Sequence, residues 1–247
     1  ELRSDFRSFM VPVGVLAAAA LLLLGEPDFG AATVLFATGL GVLFLAGARI
    51  VHLLVPVVAG SIGLAALAVV SPYRLRRLTG FLDPWGDPFD SGFQLVQSLI
   101  AIGRGEWFGV GLGSSVQKLF YLPEAHTDFV FAVLAEEFGF VGVVLVLGLF
   151  ALLVGRALTI SRNAAEAGLT FQSYLAAAIG IWLGLQAFVN VGVNMGLLPT
   201  KGLTLPLLSY GGSSMLVTLA WLGVLLRVHH ETQLTGRSAV SREGRRE

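Results

Sequence analysis

The residues of this chain best equipped for chemistry stand close together. Tyr121-Leu122-Pro123-Glu124-Ala125-His126-Thr127-Asp128 sets two carboxylates, an imidazole and two hydroxyls directly before a long apolar run. Asp128 therefore begins a helix, and position alone leaves it two roles. It is either a cap that complements the positive helix end or a base at the water–lipid boundary. Glu136 and Glu137 follow about 12–14 Å further along that helix at 1.5 Å per residue. Ionisable groups inside an apolar run are costly and must face protein or a wet cavity. Upstream, Gly109-Val110-Gly111-Leu112-Gly113-Ser114-Ser115 offers backbone N–H groups which, with Lys118, suit a phosphate. It matches neither the dinucleotide fingerprint nor a Walker loop, and a plain flexible turn is the competing reading. Gln186, Asn190 and Asn194 form a polar stripe at i, i+4, i+8, the pattern of interhelical hydrogen bonding. No cluster of ligand residues reads as a metal site.

The elements that carry these residues are membrane helices. The 247 residues are 55% hydrophobic and 13% charged, with a mean hydropathy of +0.80. Soluble domains carry roughly 25% charged residues, so half the usual complement is missing. The apolar residues come in blocks near Phe9–Leu24, Ala31–Ala48, Leu53–Val70, Phe129–Val154, Tyr174–Leu198 and Pro206–Leu226. Each approaches the ~20 residues a span requires, so the expected fold is an all-α polytopic membrane protein with six spans. Zero net charge gives no field for nucleic acid, and the absence of cysteine excludes disulfides and thiolate metal sites. Glu1–Arg7 shows no signal-peptide pattern, so the chain reads as part of a longer protein that begins upstream.

Six spans put both ends on one side. That side holds Arg3, Arg7, Arg49, Arg156, Arg162, Arg227 and the tail arginines, against Arg74, Arg76, Arg77, Arg104, Lys118 and Lys201 opposite. The excess places both ends in the cytoplasm, although the Arg74–Arg77 cluster argues the other way. The expected organisation is three spans over 1–70, an extracytoplasmic loop over 71–127, three spans over 128–229 and a disordered cytoplasmic tail over 230–247. A loop this long is uncommon unless functional. Within it, Phe93, Val96, Leu99, Ile100 and Gly103 recur at helical spacing against Gln94, Gln97 and Ser98. This predicts a short amphipathic helix over Ser91–Gly103, lying at the interface or packed on the protein.

Five segments resemble the SEDS family (shape, elongation, division and sporulation), the bacterial cell-wall glycosyltransferases. Pro27-Asp28-Phe29-Gly30 is similar to its Pro-Asp-x-Gly element. The segments 92–98, 111–118 (Gly-Leu-Gly-Ser-Ser-Val-Gln-Lys) and 122–129 (Leu-Pro-Glu-Ala-His-Thr-Asp-Phe) follow its large loop in order and spacing. The stretch from Leu198 to Ser214, with Thr200-Lys201-Gly202-Leu203-Thr204-Leu205-Pro206, resembles its last-span signature, in the form of the division member rather than the elongation member. The family has ten spans, and this chain matches the last six.

The resemblance implies a peptidoglycan glycosyltransferase that joins lipid II into β-1,4 glycan at the septum, in the bacterial cytoplasmic membrane, with inversion at the donor sugar. It implies Asp128 as general base, and Lys118, Arg104, Lys201, His126, Gln117 and Ser209 as substrate-binding residues. Asp28, Glu124, Glu136 and Glu137 are then supporting acids. Charge on the diphosphate is met by a divalent cation, Mg²⁺ or Mn²⁺, or by the basic residues; no organic cofactor is expected. Implied partners are lipid II, a class B penicillin-binding protein and other divisome membrane proteins. The rival reading is a lipid II flippase using Asp28, Glu136 and Glu137 as a polar path. A non-catalytic division scaffold is a third.

Overall fold

The computed structural model of the chain describes residues 6–26, 28–70, 80–90, 92–119, 122–199 and 202–243. The described elements are helical: α1 (Phe6–Gly25), α2 (Phe29–Leu45), α3 (Ile50–Val70), α4 (Phe93–Gly105), α5 (Val130–Glu166), α6 (Thr170–Asn194) and α7 (Gly212–Glu243). All but α4 coincide with the six apolar runs, as an all-α polytopic membrane fold requires. By length and composition α5, α6 and α7 suffice to cross a membrane, and α1, α2 and α3 contribute shorter apolar helices. Prolines sit inside α1 (Pro12) and α3 (Pro56), where membrane helices tolerate them because neighbours re-satisfy the freed backbone.

Helix α6 is the hub, touching α2, α4, α5 and α7. Toward one end it packs with α5 and α7 around Ala157, Ile160, Ala164, Ala176, Ile179, Leu183, Leu225 and Val228. Small residues make this closeness possible: a Cβ on Gly180 would lie 2.9 Å from that of Ala157. Toward the other end Phe131, Ala187, Val191 and Leu205 close a second cluster, which joins α6 to the irregular segment before α7.

Three expectations need correction. The fourth span is not one continuous helix, because α5 breaks at Gly139 (φ 66°, ψ −164°). A loop fills the break. Val110 and Gly111 donate their N–H groups to the carbonyls of Glu136 and Glu137 at 2.9 and 3.1 Å. Phe140 and Val141 in turn donate to Glu106 and Trp107 at 2.8 and 3.1 Å. The four bonds replace ones the break removes, so no buried end is left unpaired. Second, α4 buries Leu95, Val96, Ser98, Ala101 and Gly105, a face rotated from the apolar stripe in its sequence. It is packed on α5, and Ser98 is drawn inside because its hydroxyl donates to the Asn194 carbonyl at 2.8 Å. Third, α7 continues past His230 to Glu243 where a disordered tail was expected. The extension starts from a stretch braced by the Arg227–Glu231 pair at 2.9 Å and the Thr232 hydroxyl donating to the Val228 carbonyl at 2.8 Å.

Candidate active site

Asp128 closes a tight turn whose geometry is set by Glu124. Glu124 adopts a left-handed conformation (φ 56°), and its carbonyl accepts from the N–H groups of Thr127, Asp128 and Phe129 at 3.1–3.2 Å. Non-glycine residues rarely pay for that backbone region outside functional segments. The Thr127 hydroxyl donates to the Glu124 carboxylate at 2.8 Å, which holds that acid beside the turn.

The polar stripe of α6 then pins the turn from below. Asn190 and Asn194 donate their side-chain amides to the Asp128 carbonyl at 2.8 and 3.0 Å. Asn190 also donates to the Leu203 carbonyl at 2.5 Å, and Asn194 accepts from the Ala132 N–H at 3.2 Å. Gln186 donates to the Thr204 carbonyl at 3.0 Å. Asn190 and Asn194 are almost wholly buried, so the stripe is a scaffold that fixes α5's start and segment 203–205 together. Ser209 completes it. Its hydroxyl donates to the Thr127 carbonyl at 2.5 Å and accepts from the Leu205 N–H at 2.7 Å.

All these anchors grip main chain. Among the described residues no donor reaches the Asp128 carboxylate, which lies half-buried over Gly202. A Cβ on Gly202 would stand 2.9 Å from Oδ2. Burial, then the charge of Glu124, then that of Asp28, push the Asp128 carboxyl from 3.8 to about 6. Asp28 comes from α2, whose N-terminus it caps by accepting from the Ala31 N–H at 2.9 Å. Close packing brings it there, since a Cβ on Gly30 would lie 2.6 Å from Leu203. A carboxylate near pKa 6 that no donor among the described residues engages is equipped to take a proton near neutral pH.

The other acids are spent. Glu136, with no exposed surface, accepts from the Ser115 hydroxyl at 2.5 Å and the Val116 and Gln117 N–H groups at 3.3 and 3.4 Å. Arg104 pairs with it at 3.4 Å. Glu137 pairs with Lys118 at 2.5 Å and accepts from the Ser115 N–H at 3.4 Å. The nest of N–H groups expected over 109–115 does exist near Ser115–Gln117, but the chain's own carboxylates fill it. Lys118 and Arg104 therefore serve the loop and are not gathered at Asp128. Gln117 is buried there with them, while His126 is exposed beside Asp128, its carbonyl accepting from the Tyr210 N–H at 2.8 Å. Lys201 and the Arg74–Arg77 cluster lie outside the described residues. Sequence reasoning missed Gly202 and the carbonyl-gripping role of Asn190 and Asn194; the i, i+4 spacing of the asparagines was the available signal. Among the described residues no three His, Cys, Asp or Glu side chains meet as a metal-ligand set.

The comparisons with known proteins agree with this architecture. A probable peptidoglycan glycosyltransferase FtsW from Thioalkalivibrio sulfidiphilus is 62% identical over 240 residues, covering 97% of this chain and 60% of that protein. Its counterpart in Nitrosococcus halophilus is 63% identical over 227 residues, covering 92% and 59%. The chain thus spans about three fifths of the relatives' length. Among solved structures, a chain of a peptidoglycan synthase complex that coordinates polymerization and crosslinking superposes with TM-score 0.74 at 35% identity, over 92% of this chain and 63% of that one. The rod shape determining protein RodA of Thermus thermophilus gives 0.60 at 33% identity, over 93% and 58%. The family model for FtsW, RodA and SpoVE, described as cell cycle protein, matches residues 1–234. With nearly its whole length so matched, the chain belongs to the FtsW/RodA/SpoVE family of cell cycle proteins, the SEDS family its motifs resemble.

Proposed function

We propose that this chain carries the proton-accepting part of a glycosyltransferase that polymerises lipid II into β-1,4 glycan for bacterial cell division. The observation that carries the reading is the Asp128 carboxylate, mounted through its main chain while no donor among the described residues engages its oxygens and its basicity is raised. In the reaction the acceptor 4-hydroxyl gives its proton to Asp128 as its oxygen attacks the donor's anomeric carbon. The bond from that carbon to the diphosphate breaks, and the diphosphate leaves with the electron pair. Attack opposite a leaving α-linked diphosphate inverts the carbon and yields the β-link. A divalent cation bound to the diphosphate would offset the charge that builds on the leaving group.

The division role is supported by 62–63% identity to proteins named FtsW, against 33% to a RodA. A transpeptidase of the class B penicillin-binding type is the partner we propose, supported by likeness to a chain of a peptidoglycan synthase complex. The flippase reading loses ground because two acids of its path, Glu136 and Glu137, are held by loop donors.

The test is Asp128→Asn in the full-length protein with its transpeptidase partner, supplied with purified lipid II. The carbonyl that Asn190 and Asn194 grip is unchanged, so folded yield should match wild type. Glycan polymerisation should fall by about 10²–10⁴-fold, the usual worth of a general base. Normal polymer from the variant removes Asp128 as the base.

A further inference from the structure

The break at Gly139 divides α5 by environment. Before it, Phe131, Ala132, Ala135, Glu136 and Glu137 are buried. After it, every residue from Phe140 to Val154 is apolar or glycine, and the exposed Val141 and Leu145 begin a face that continues along the helix. Arg156 is the first charge after the break. From Phe140 to Arg156 the helix rises about 24 Å at 1.5 Å per residue. The hydrocarbon layer is about 30 Å thick, and an arginine stem reaches several ångströms to its headgroup. With Arg156 at one boundary, the break lies close to the other.

At that level the structure exposes aromatic surface. Trp107 and Phe108, on the loop that fills the break, are 66% and 81% exposed, and Phe138 and Phe140 flank Gly139 at 46% and 55%. Trp107 meets Phe140 edge to face with ring centroids 5.3 Å apart, and the Phe138 side chain folds back over Gly142, where a Cβ would collide with it. Phe140 begins the apolar run that carries the exposed Val141 and Leu145.

We propose that Trp107, Phe108, Phe138 and Phe140 form a bilayer anchor that seats the loop in the boundary between headgroups and acyl chains. The partner is the lipid surface on the membrane face where the long loop lies. Aromatic rings concentrate at that depth, and lipid already covers the adjoining face of a spanning helix. Facing water, the exposed surface of these rings would instead stay hydrated, which is unfavourable for apolar groups. Because Val110 and Gly111 are bonded into α5, a loop fixed in the lipid boundary fixes the height of the helix break against the membrane.

Spin labelling tests this in the full-length protein, on a cysteine-free background, in vesicles of phosphatidylethanolamine and phosphatidylglycerol. Single cysteines replace Phe108, Leu145 as the lipid reference and exposed Ser114 as the water reference. The Phe108→Cys label should collide with oxygen in preference to a water-soluble nickel chelate, as at Leu145, with the ratio reversed at Ser114. A label at 108 that behaves like the one at 114 overturns the anchor, and so does one shielded from both reagents, which would mean protein covers the patch. A second measurement avoids reliance on the cysteine variant. Lipids brominated near the headgroup should quench tryptophan emission less in Trp107→Phe than in wild type, and equal quenching overturns the proposal.

Discussion

Glu136 and Asp128 carry the same functional group on one stretch of chain, in opposite surroundings. Glu136 is sunk in donors: a hydroxyl, two backbone N–H groups and a guanidinium. Asp128 has as many anchors, yet they grip its carbonyl and its turn, leaving the carboxylate among acids. Burial by itself therefore does not mark the acid we propose as the base. What distinguishes the two is where the hydrogen bonds go. Bonds to the carboxylate make a strut; bonds to the backbone make a mount for a free carboxylate.

The contrast breaks most visibly on the strut side. Glu136→Leu strips the Ser115 hydroxyl and the Val116 and Gln117 N–H groups of their acceptor at once. Each buried donor left unpaired costs about 1–3 kcal/mol, so folded yield in detergent should collapse, read by size exclusion and thermal melting. Glu136→Gln should recover part of it. Intact yield and activity in Glu136→Leu would show that the carboxylate is no strut.

A pH profile sharpens the Asp128 side. Its carboxyl is raised from 3.8 to about 6, so the basic form grows as pH rises through that value. The polymerisation rate should climb along an acid limb centred near pH 6 and level off above it. Glu124→Gln removes a charge that opposes ionisation, so the limb should move to lower pH. A limb that stays in place means that Glu124 does not tune Asp128. Stability has the opposite sign. The fold favours the protonated acid, so its contribution is full below pH 3.8 and is lost as pH rises through about 6. Asp128→Asn should therefore gain melting temperature over wild type more at pH 8 than at pH 5.

The smallest effect is local. Gly202→Ala would put a Cβ 2.9 Å from Asp128 Oδ2, and the carboxylate can swing aside with little strain. Rate should drop several-fold while melting temperature holds, because misplacing a catalytic group costs rate before it costs fold. An unchanged rate would show that the carboxylate's position over Gly202 is immaterial.

Much of this was legible in the chain. Runs of apolar residues long enough to span a bilayer have few folds open to them, so the helices follow from composition. The position of Asp128 before an apolar run fits a cap as well as a base, and the base role is what the resemblance of segment 122–129 to the family's loop implies. The break in α5 was hidden. Phe138-Gly139-Phe140 leads straight into an apolar run, and glycine in membrane helices usually signals close packing. The clue available was the adjacent Glu136-Glu137 pair, which an unbroken span could not hold cheaply. Sequence shows Lys118 and Arg104 as cations but not the acids, Glu137 and Glu136, that pair with them in the fold. Ser98 read as solvent-facing for a similar reason: its partner, the Asn194 carbonyl, is on another helix.

The splice at Gly139 also bears on how this protein tolerates alteration. Loops are ordinarily where tags, protease sites and inserted domains do least harm. Here residues 106–111 complete the hydrogen-bond ladder of a helix that begins some twenty residues later in the chain. An epitope placed between Glu106 and Gly111 would sever α5 as surely as one placed within the helix. For engineering, and for reading insertion variants, this short stretch counts as membrane helix, although nothing in its own composition says so.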